Sequence, residues 1–451
     1  MIWKNLKKLM INFKQFFYNK KITIMGLGLL GRGVGDAIFL AECGAKLTIT
    51  DLKSSVILKP SLEKLRKFKN IKFVLGKHRL EDFQNSNLIL KAAGVPLDSI
   101  YIKEAKKNKI PIEMSATLFV KLSRIYTIAV TGTRGKSTVT HLIAHILKYA
   151  GKKIILGGNV RGISNLQLLK KVKNEEVAIL ELDSWQLQGF GDNKISPNIA
   201  VFTTFFPDHM VYYKNSMKKY FTDKINIFKY QKSGDTLIVG KQTLPFIKKW
   251  GGKIRSKIIL SKTELPKGWG FGIAGEHNIA NASLAVEVAR ILGIKDAVIK
   301  KALKNFKGVE GRMQLLKEIK GVKYYNDTTA TTPEATIAAL KTLGQKKNII
   351  LIAGGADKNL NMSDLLKEIP KYCKKVILLS GTGTERVKNK IKGYVEVNSL
   401  KKAVTSGMML SSRGDIVLLS PAFASFNMFD NEYDRGDQFT KIVKNLGVQH
   451  L

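Results

Sequence analysis

The strongest chemical signal in the chain is the glycine-rich segment 125–138, which ends in the sequence Thr-Gly-Thr-Arg-Gly-Lys-Ser-Thr. Gly132 and Gly135 let backbone N–H groups approach phosphate oxygens, and the helical pattern that follows adds a partial positive charge. Lys136 can then reach the terminal phosphates of a nucleotide, while Ser137 can ligate Mg²⁺. Valine replaces the first glycine of the common Gly-x4-Gly-Lys spacing. The apolar strand pattern before the loop and the helical pattern after it nevertheless predict nucleotide binding.

A second glycine turn follows the apolar segment 21–25 and has the sequence Gly26-x-Gly28-x-x-Gly31. The next strand pattern ends at Asp51. A glycine turn with an acid at the end of the following strand is typical of nucleotide binding, the acid facing ribose or base hydroxyls. The turn by itself is also typical of a tight βα connection without a ligand, and that alternative stays open.

Three polar groups follow apolar segments in the middle of the chain. Glu181 and Asp183 come after the strand pattern that begins at Val177, and Asp208 and His209 come after another. An acid at the carboxyl end of a strand points into the ligand crevice of an α/β sheet and suits Mg²⁺. Taken singly, most such acids are solvated and most lone histidines are structural. Lys224, 15 residues beyond His209 in an amphipathic helical pattern, is by itself a surface lysine.

Strand and helix patterns alternate along the whole chain, which predicts an α/β fold with parallel sheets in three successive units. The predicted strands are 21–25, 46–50, 71–75 and 88–91, then 153–156, 177–182, 199–204 and 236–239, then 322–326, 348–353, 375–379 and 416–419. The main predicted helices are 139–149, 216–229 and 277–292.

Composition limits the class of protein. A chain of 451 residues with 44% apolar residues is globular and has two to four domains. No apolar run approaches the length of a spanning helix, and Cys43 and Cys373 are expected to be reduced core residues of a cytoplasmic protein. The net charge of +41 attracts polyanions, but the lysines form no block. We therefore expect a solvated surface that favours anionic substrates, with no specific nucleic acid.

The N-terminal extension, residues 1–20, is basic and has no acid. Its apolar residues recur at helical spacing: Ile2, Trp3, Leu6, Leu9, Met10, Phe13, Phe16 and Phe17. Two interpretations stay open. The helix either lies on an anionic membrane surface or packs its apolar face on the first domain.

Together these motifs resemble the Mur ligase superfamily from Lys21 to near the end of the chain. The segment 131–138 is similar to the family's ATP loop, and 181–187 is similar to its Mg²⁺-glutamate segment. His209 and Lys224 have the family's spacing between a metal-site histidine and a lysine that is carbamylated. Further similar segments are Gly157-Gly-Asn-Val160, the adenine-contacting helix start at 275–281, and the C-terminal matches at Arg312, 326–327 and 419–425.

The order of the motifs indicates a branch of the family. A glycine-rich nucleotide unit precedes the ATP loop, whereas folylpolyglutamate synthases resemble the pattern only from that loop onward. The sequence Asn326-Asp-Thr-Thr-Ala-Thr331 is similar to the Asn-Asp-Ser-Lys-Ala-Thr of the glutamate-adding branch.

The resemblance implies a Rossmann-like UDP-substrate domain at 21–123, a central P-loop ATPase-like domain at 124–309, and a Rossmann-like amino-acid domain at 310–451. It implies ATP-dependent ligation of glutamate to UDP-N-acetylmuramoyl-L-alanine through an acyl phosphate. That reaction belongs to peptidoglycan synthesis, and hence to cell-wall biogenesis, cell shape and cell division. The expected partners are these substrates, ATP and two Mg²⁺ ions, bound by a cytoplasmic monomer.

The resemblance also assigns roles to individual residues. Catalysis is expected from Lys136, Glu181, His209 and Lys224. One Mg²⁺ is assigned to Ser137 and Glu181, the other to His209 and carbamylated Lys224. The expected ATP contacts are Gly132, Thr133, Arg134, Gly135, Lys136, Ser137, Thr138, Asn278, Asn281, Arg312 and Asp327. The expected UDP-substrate contacts are Gly28, Leu29, Leu30, Asp51, Gly94 and Asn159. The expected amino-acid contacts are Thr331, Lys358 and Ser425.

Three positions depart from the family pattern. Arg134 stands in place of the usual asparagine of the ATP loop, Thr329 in place of a lysine that helps bind glutamate, and 427–430 diverges. Two alternatives stay open: a sister ligase that adds another amino acid, such as L-glutamate, and a basic nucleic-acid-dependent P-loop ATPase. The ATPase predicts a Walker B acid followed by helicase-like Arg and Gln motifs, and the sequence has none.

Overall fold

The computed structural model describes residues 10–29, 31–173, 176–273, 275–344, 346–426 and 428–446. The chain divides into two compact units. The first runs through Phe271 and includes Glu276–Asn305, while the second consists of Gly272–Gly275 and the chain from Phe306 onward.

The first unit begins with a parallel sheet, whose described strands have the order β3-β2-β1-β4-β5. These strands are β1 (Lys21–Met25), β2 (Lys46–Asp51), β3 (Ile71–Leu75), β4 (Leu88–Lys91) and β5 (Ile112–Glu113). The helices are α1 (Phe13–Phe17), α2 (Arg32–Glu42), α3 (Ser55–Glu63), α4 (Ile100–Lys107) and α5 (Ser115–Ser123). The chain moves from β1 to β2 on one side and returns to β4 on the other. A ligand crevice is therefore expected beyond the carboxyl ends of β1 and β4.

A second sheet of the same unit has the order β11-β10-β9-β6-β8-β7, with parallel pairing throughout its described strands. The strands are β6 (Tyr126–Thr131), β7 (Ile154–Gly158), β8 (Val177–Glu181), β9 (Ile199–Phe202), β10 (Thr236–Val239) and β11 (Lys257–Leu260). The helices are α6 (Lys136–Tyr149), α7 (Ser184–Asp192), α8 (Met217–Lys224), α9 (Leu244–Trp250), α10 (Glu276–Ile291) and α11 (Asp296–Asn305). Because β6 lies between β8 and β9, the loop after β6 is flanked by the ends of both neighbours.

The second unit has its own sheet, with the order β12-β13-β17-β14-β15-β16 and one antiparallel pair, β12 with β13. The described strands are β12 (Gln314–Ile319), β13 (Val322–Asn326), β14 (Ile349–Gly354), β15 (Cys373–Leu379), β16 (Val395–Val397) and β17 (Ile416–Leu419). The helices are α12 (Pro333–Leu343), α13 (Ser363–Tyr372), α14 (Thr382–Val387), α15 (Leu400–Leu410) and α16 (Glu432–Asn445).

Every strand predicted from the sequence is present, with ends that differ by one or two residues. The structure adds β5, β11, β12 and β16. All four are sheet edges, where a strand has only one neighbour and its sequence is less constrained than that of a central strand. The predicted helix 216–229 was too long, since α8 ends at Lys224 and a short 3-10 turn follows at Ile225–Ile227.

Two expectations about the class of protein can be checked in the described part of the chain. Cys43 and Cys373 are buried and unpaired, which confirms that both are core thiols. No helix in the described ranges is long and apolar enough to cross a membrane.

The described part of the N-terminal extension packs on the first sheet's core. The Phe17 side chain is fully buried, and the Phe13 ring lies 5.2 Å from the ring of Phe39 in α2. The Ile11 N–H also donates to the Leu122 carbonyl at 3.0 Å. Residues 1–9 lie outside the described residues. For residues 11–17 the packed interpretation is therefore the one observed.

Phe17→Ala is expected to lower the free energy of unfolding by about 3–5 kcal/mol, because it leaves a cavity where a fully buried ring was. Urea denaturation measures this loss. Gln15→Ala, on the exposed side of the same helix, is the control and should change stability by less than about 0.5 kcal/mol. Equal stabilities of the two variants would contradict the packed helix.

Candidate active site

The phosphate loop between β6 and α6 is tightly packed at both of its glycines. Gly132 has a φ of 147°, and a Cβ there would lie 2.0 Å from Thr203 Oγ1. Gly135 has a φ of 84°, and a Cβ there would lie 2.3 Å from Asn281 Oδ1. Only glycine fits either position, so the backbone itself forms the surface of the loop.

The segment after β9 holds the loop in place through two threonines that the sequence analysis did not single out. The Thr133 N–H donates to the Thr204 carbonyl at 2.7 Å, and the Arg134 N–H donates to Thr204 Oγ1 at 2.9 Å. The Thr203 hydroxyl donates to the Arg134 carbonyl at 2.5 Å. These bonds fix the loop before any ligand binds. The Arg134 residue is exposed.

The Lys136 ammonium lies over the mouth of the loop. It donates to the carbonyls of Gly132 at 3.0 Å and Thr133 at 3.1 Å. Helix α6 begins at Lys136, so Ser137 and Thr138 occupy its first turn, where backbone N–H groups have no partner within the helix. The ammonium and these N–H groups together suit the phosphates of a nucleotide.

Glu181 is the last residue of β8 and is only 4% exposed. It pairs in register with Val130 of β6 and Gly158 of β7, which places it beside the phosphate loop. No described residue donates a hydrogen bond to its carboxylate. The carboxylate oxygens are therefore available to a cation beside the loop. Asp183 has a different role, since its side chain accepts from the Gln186 N–H at 2.7 Å and caps α7.

Lys224 is 1% exposed, so its interpretation as a surface lysine was wrong. Its Nζ donates to the Gly132 carbonyl at 2.9 Å and lies 4.9 Å from the centre of the Tyr220 ring. Burial lowers the pKa of Lys224 well below its usual value, and the Lys136 cation lowers it further. The carboxylates of Asp183, Asp208 and Asp223 act in the opposite direction. A buried amine that is easily deprotonated is a nucleophile, which carbamylation by CO₂ requires.

His209 lies near Lys224, because both contact the ring of Tyr220. Its ring is 4.6 Å from the Trp185 ring, and its Nε2 is 3.6 Å from Asp208 Oδ2. Burial lowers the pKa of His209, and the cations of Lys136 and Lys224 lower it further, whereas the Asp208 carboxylate raises it. The imidazole is therefore neutral near pH 7, the form in which it can ligate a metal.

No group of three or more His, Cys, Asp or Glu side chains converges in the described ranges. The arrangement still fits Mg²⁺, because this ion takes one or two protein ligands and completes its shell with phosphates and water. Ser137 and Glu181 supply a hydroxyl and a donor-free carboxylate at the phosphate loop. His209 and a carbamylated Lys224 would supply a nitrogen and a carboxylate-like oxygen.

A cavity of about 640 Å³ opens at the carboxyl ends of β1 and β4, where the strand order predicts a ligand crevice. Five of the residues expected to bind the UDP-substrate line it: Gly28, Leu29, Asp51, Gly94 and Asn159. Leu30, the sixth, lies outside the described residues. The cavity belongs to the first unit, as does the phosphate loop.

Asp51 shapes the glycine turn of this cavity. Its Oδ2 accepts from the N–H groups of Leu27 at 2.9 Å and Gly28 at 3.1 Å, and its Oδ1 accepts from the Lys53 N–H at 2.9 Å. The carboxylate therefore holds the turn open toward a ligand. Its predicted contact with ribose or base hydroxyls stays a prediction.

Three side chains on the cavity wall were missed in the sequence analysis. Arg32 donates through Nη1 to Asn159 Oδ1, and His78 Nδ1 lies 2.6 Å from Thr50 Oγ1. Lys91 ends β4 and is buried. A charged residue that ends an otherwise apolar strand pattern was the available signal for Lys91.

The remaining predicted ATP contacts fall in both units. Asn278 and Asn281 lie on α10 in the first unit and are buried, and Asn281 packs on Gly135. Arg312 and Asp327 belong to the second unit. Asp327 accepts from the Met313 N–H and the Ser420 hydroxyl, and burial raises the pKa of its carboxyl to about 7.

The second unit brings the predicted amino-acid contacts toward one another. Lys358 Nζ donates to Thr331 Oγ1 at 3.0 Å. The bridge between Ala356 and Ala424 aligns the segment before Lys358 with the one before Ser425. Arg435, which the sequence analysis missed, is fully buried beneath these segments.

The Arg435 guanidinium supports both segments from within the core. It donates to the Thr328 hydroxyl at 3.1 Å, to the Thr328 carbonyl at 2.9 Å and to the Phe423 carbonyl at 3.4 Å. Burial lowers the pKa of Arg435 to about 10.

Three family models match the chain in the order of its three sheets. Residues 20–113 match the Mur ligase MurD-like N-terminal domain, 130–269 the Mur ligase middle domain, and 311–423 the Mur ligase glutamate ligase domain. The chain belongs to the Mur ligase family. It is an ATP-dependent ligase that forms amide bonds, and the predicted three-domain α/β fold is confirmed.

Curated relatives match over nearly their whole length. The UDP-N-acetylmuramoylalanine--D-glutamate ligase of Roseiflexus sp. (strain RS-1) is 35% identical, over 95% of this chain and 99% of the relative. The protein of the same name from Borreliella afzelii (strain PKo) is 38% identical, over 95% and 98%.

Solved structures support the fold. UDP-N-acetylmuramate-alanine ligase MurC of Thermotoga maritima aligns with a TM-score of 0.63 at 18% identity, covering 95% of this chain and 100% of that chain. The MurF ligase of Thermotoga maritima in complex with ADP aligns with a TM-score of 0.58 at 16% identity, covering 96% and 97%.

Proposed function

We propose that the protein joins D-glutamate to UDP-N-acetylmuramoyl-L-alanine at the expense of ATP, in peptidoglycan precursor synthesis. The observation that carries the proposal is the buried Lys224 beside the phosphate loop, together with Lys136, Glu181 and His209. Besides its hydrogen bond to the Gly132 carbonyl, a lysine at this place can be carbamylated and then supply an oxygen ligand at the phosphates. The names of the curated relatives support the choice of D-glutamate.

The reaction has two steps. The carboxylate of the UDP-linked alanine attacks the γ-phosphorus of ATP, so that ADP leaves and an acyl phosphate forms. The amine of glutamate then attacks the acyl carbon, loses a proton and expels inorganic phosphate, which leaves an amide. Both steps depend on positioning and charge neutralisation more than on covalent chemistry by the protein.

Each residue of the loop has a defined task in this scheme. The backbone from Gly132 to Gly135 cradles the phosphates, and Lys136 neutralises charge that develops on the transferred γ-phosphate. Ser137 and Glu181 would hold one Mg²⁺, and His209 with carbamylated Lys224 would hold a second. When bound, the ions would neutralise charge on the phosphates. In the first unit, Asn278 and Asn281 are further proposed ATP contacts. Arg312 and Asp327 of the second unit are proposed as ATP contacts from the family resemblance alone.

The 640 Å³ cavity is the proposed site for the UDP-substrate. It lies at the position where doubly wound sheets bind nucleotides, and the predicted contacts Gly28, Asp51 and Gly94 line it. Use of ATP and a nucleotide sugar supports a cytoplasmic location, and we propose that the chain acts as a monomer.

Thr331, Lys358 and Ser425 are the proposed contacts for the amino acid. The position where the family has a lysine is occupied by Thr329, whose hydroxyl donates to the Gly311 carbonyl at 2.9 Å. A short side chain engaged with the backbone cannot replace the reach of an ammonium. The Lys358 ammonium, already beside Thr331, is the proposed substitute for recognition of the glutamate carboxylate.

Phosphate release is expected only when ATP, Mg²⁺, UDP-N-acetylmuramoyl-L-alanine and D-glutamate are all present, because the amine completes the turnover. The assay compares D-glutamate with L-glutamate at equal concentration, and omits each component in turn as a control. Full-rate hydrolysis without an amino acid would contradict the proposal. A preference for L-glutamate would still support the ligase activity but would replace D-glutamate as the proposed substrate.

A further inference from the structure

Lys91 is a buried ammonium that binds one turn of the cavity wall. It is 3% exposed, and its Nζ donates to the carbonyls of Ala92 at 3.3 Å, Ala93 at 3.3 Å and Val95 at 2.8 Å. These residues, with Gly94 between them, line the 640 Å³ cavity. A single side chain therefore fixes three carbonyls of the segment that faces the ligand.

Burial of this ammonium costs free energy, because the charge loses its hydration. Lysine is among the residues least often fully buried without a charged partner, and the described partners of the Lys91 ammonium are backbone carbonyls rather than a carboxylate. An apolar side chain of similar length would fill the same space without losing hydration. Because Lys91 also donates to three carbonyls, its charged end acts on the Ala92–Val95 turn and does more than fill space.

The other charges on the cavity wall favour an anionic ligand. Arg32 and Lys53 line the cavity together with Lys91. The three carboxylates on the wall already accept protein hydrogen bonds: Asp51 from three backbone N–H groups, Asp36 from the Ser164 hydroxyl and the Leu166 N–H, and Asp183 from the Gln186 N–H. A wall with cations and satisfied carboxylates attracts phosphate groups.

We propose that Lys91 is a positioning residue for the UDP-substrate, which holds the Ala92–Val95 turn in its binding shape and adds positive charge to the cavity wall. The inference rests on the proposed function, because it takes the UDP-linked substrate as the occupant. Lys91 acts on binding rather than on the transfer of the phosphoryl group.

Binding of the UDP-substrate should depend on the protonation of Lys91. Burial lowers the pKa of Lys91 to about 8, against the carboxylates of Asp183, Asp192 and Asp223, while the Lys106 cation lowers it as well. A bound diphosphate favours the charged form and so raises the pKa of Lys91 in the complex. Binding should then take up a proton at pH values above about 8, and affinity should fall as the pH rises through that value.

The titration of His78 on the same wall does not overlap with that of Lys91. Burial lowers the pKa of His78 below its usual value, against the carboxylates of Asp51 and Asp82. The imidazole is therefore already neutral in the range where Lys91 titrates.

The test is Lys91→Met, which keeps the length of the side chain and removes its charge and donors. Calorimetric titration with UDP-N-acetylmuramoyl-L-alanine should give a Kd about 10- to 100-fold higher than that of the unchanged protein. KM should rise in parallel while kcat changes by less than about threefold. Titration at about pH 9 in buffers of different ionisation enthalpy should show proton uptake for the unchanged protein and none for the variant.

The matched control is Lys103→Met, which removes an exposed lysine of α4 in the same domain and should leave Kd unchanged. ATP affinity of Lys91→Met should also stay unchanged and shows that the variant is folded. If Lys91→Met does not fold, Lys91→Gln serves instead and should show the same loss of affinity and of proton uptake.

Unchanged substrate affinity and unchanged proton uptake in the folded variant would overturn the inference. Weaker binding without loss of proton uptake would also overturn it, because the charge of Lys91 would then not contribute to substrate binding. If the unchanged protein binds ATP but not the UDP-substrate, the proposed function fails instead.

Discussion

Lys136→Ala is expected to lower turnover by a factor on the order of 10³, since it removes a cation positioned over the phosphate loop. The Lys136 ammonium already donates to the carbonyls of Gly132 and Thr133, so its position is set before the nucleotide binds. Steady-state phosphate release with all substrates present measures the effect. Binding of the UDP-substrate should survive, because its proposed cavity is lined by other residues.

Lys148→Ala is the matched control for this variant. Lys148 is exposed in the last turn of the same helix, α6, and lies at the end away from the loop. Its removal should leave turnover within about twofold of the unchanged protein. Near-normal turnover of Lys136→Ala would show that the loop does not hold the reacting phosphates.

The phosphate loop could be predicted because its signal is local. Glycines at Gly132 and Gly135 and the change from strand to helix lie within a few residues of one another. The bonds that fix the loop could not be predicted, since Thr203 and Thr204 approach it from a strand about 70 residues later. A lone threonine after a strand gives no signal until the sheet order places β9 beside β6.

The strands that the sequence patterns failed to predict all lie at the edges of their sheets. After Lys257 the sequence of β11 is apolar, Ile-Ile-Leu, but three of the four residues of the strand are exposed. Apolar and polar residues alternate only weakly along β12. This strand pairs antiparallel with β13, while the rest of that sheet is parallel. Edge strands are stabilised by one neighbour only, so their sequences are less constrained than those of central strands.

Lys224 and Lys91 show the same limit for site residues. Helix α8 contains Lys218 and Lys219, both exposed, and nothing local distinguishes the third lysine from these two. Burial of Lys224 depends on the packing of α8 against the end of β6. Only the resemblance to the Mur ligase superfamily identified Lys224 in advance, and the one local signal for Lys91, a charge at the end of an apolar strand, was too weak to single it out.

Lys224→Ala is expected to lower turnover by more than about 100-fold, because the carbamate that it carries is a proposed metal ligand. Carbamylation joins the neutral amine to CO₂ and releases one proton, and the lowered pKa of Lys224 makes the neutral amine available. The matched control is Lys219→Ala on the exposed face of α8, which should keep full activity.

A small carboxylate should partly restore the Lys224→Ala enzyme, since it can occupy the vacated space and supply the missing oxygens. Acetate is the probe, and phosphate release is measured as its concentration is raised, with chloride at equal ionic strength as the control. Acetate should not stimulate Lys136→Ala, which lacks a cation rather than an oxygen ligand. Lys224 is buried against Gly132 and the Tyr220 ring, so a merely structural loss would destabilise the loop in a way that acetate cannot repair. Rescue specific to Lys224→Ala therefore separates a metal-binding carbamate from a packing residue, and full activity of Lys224→Ala without acetate would exclude both roles.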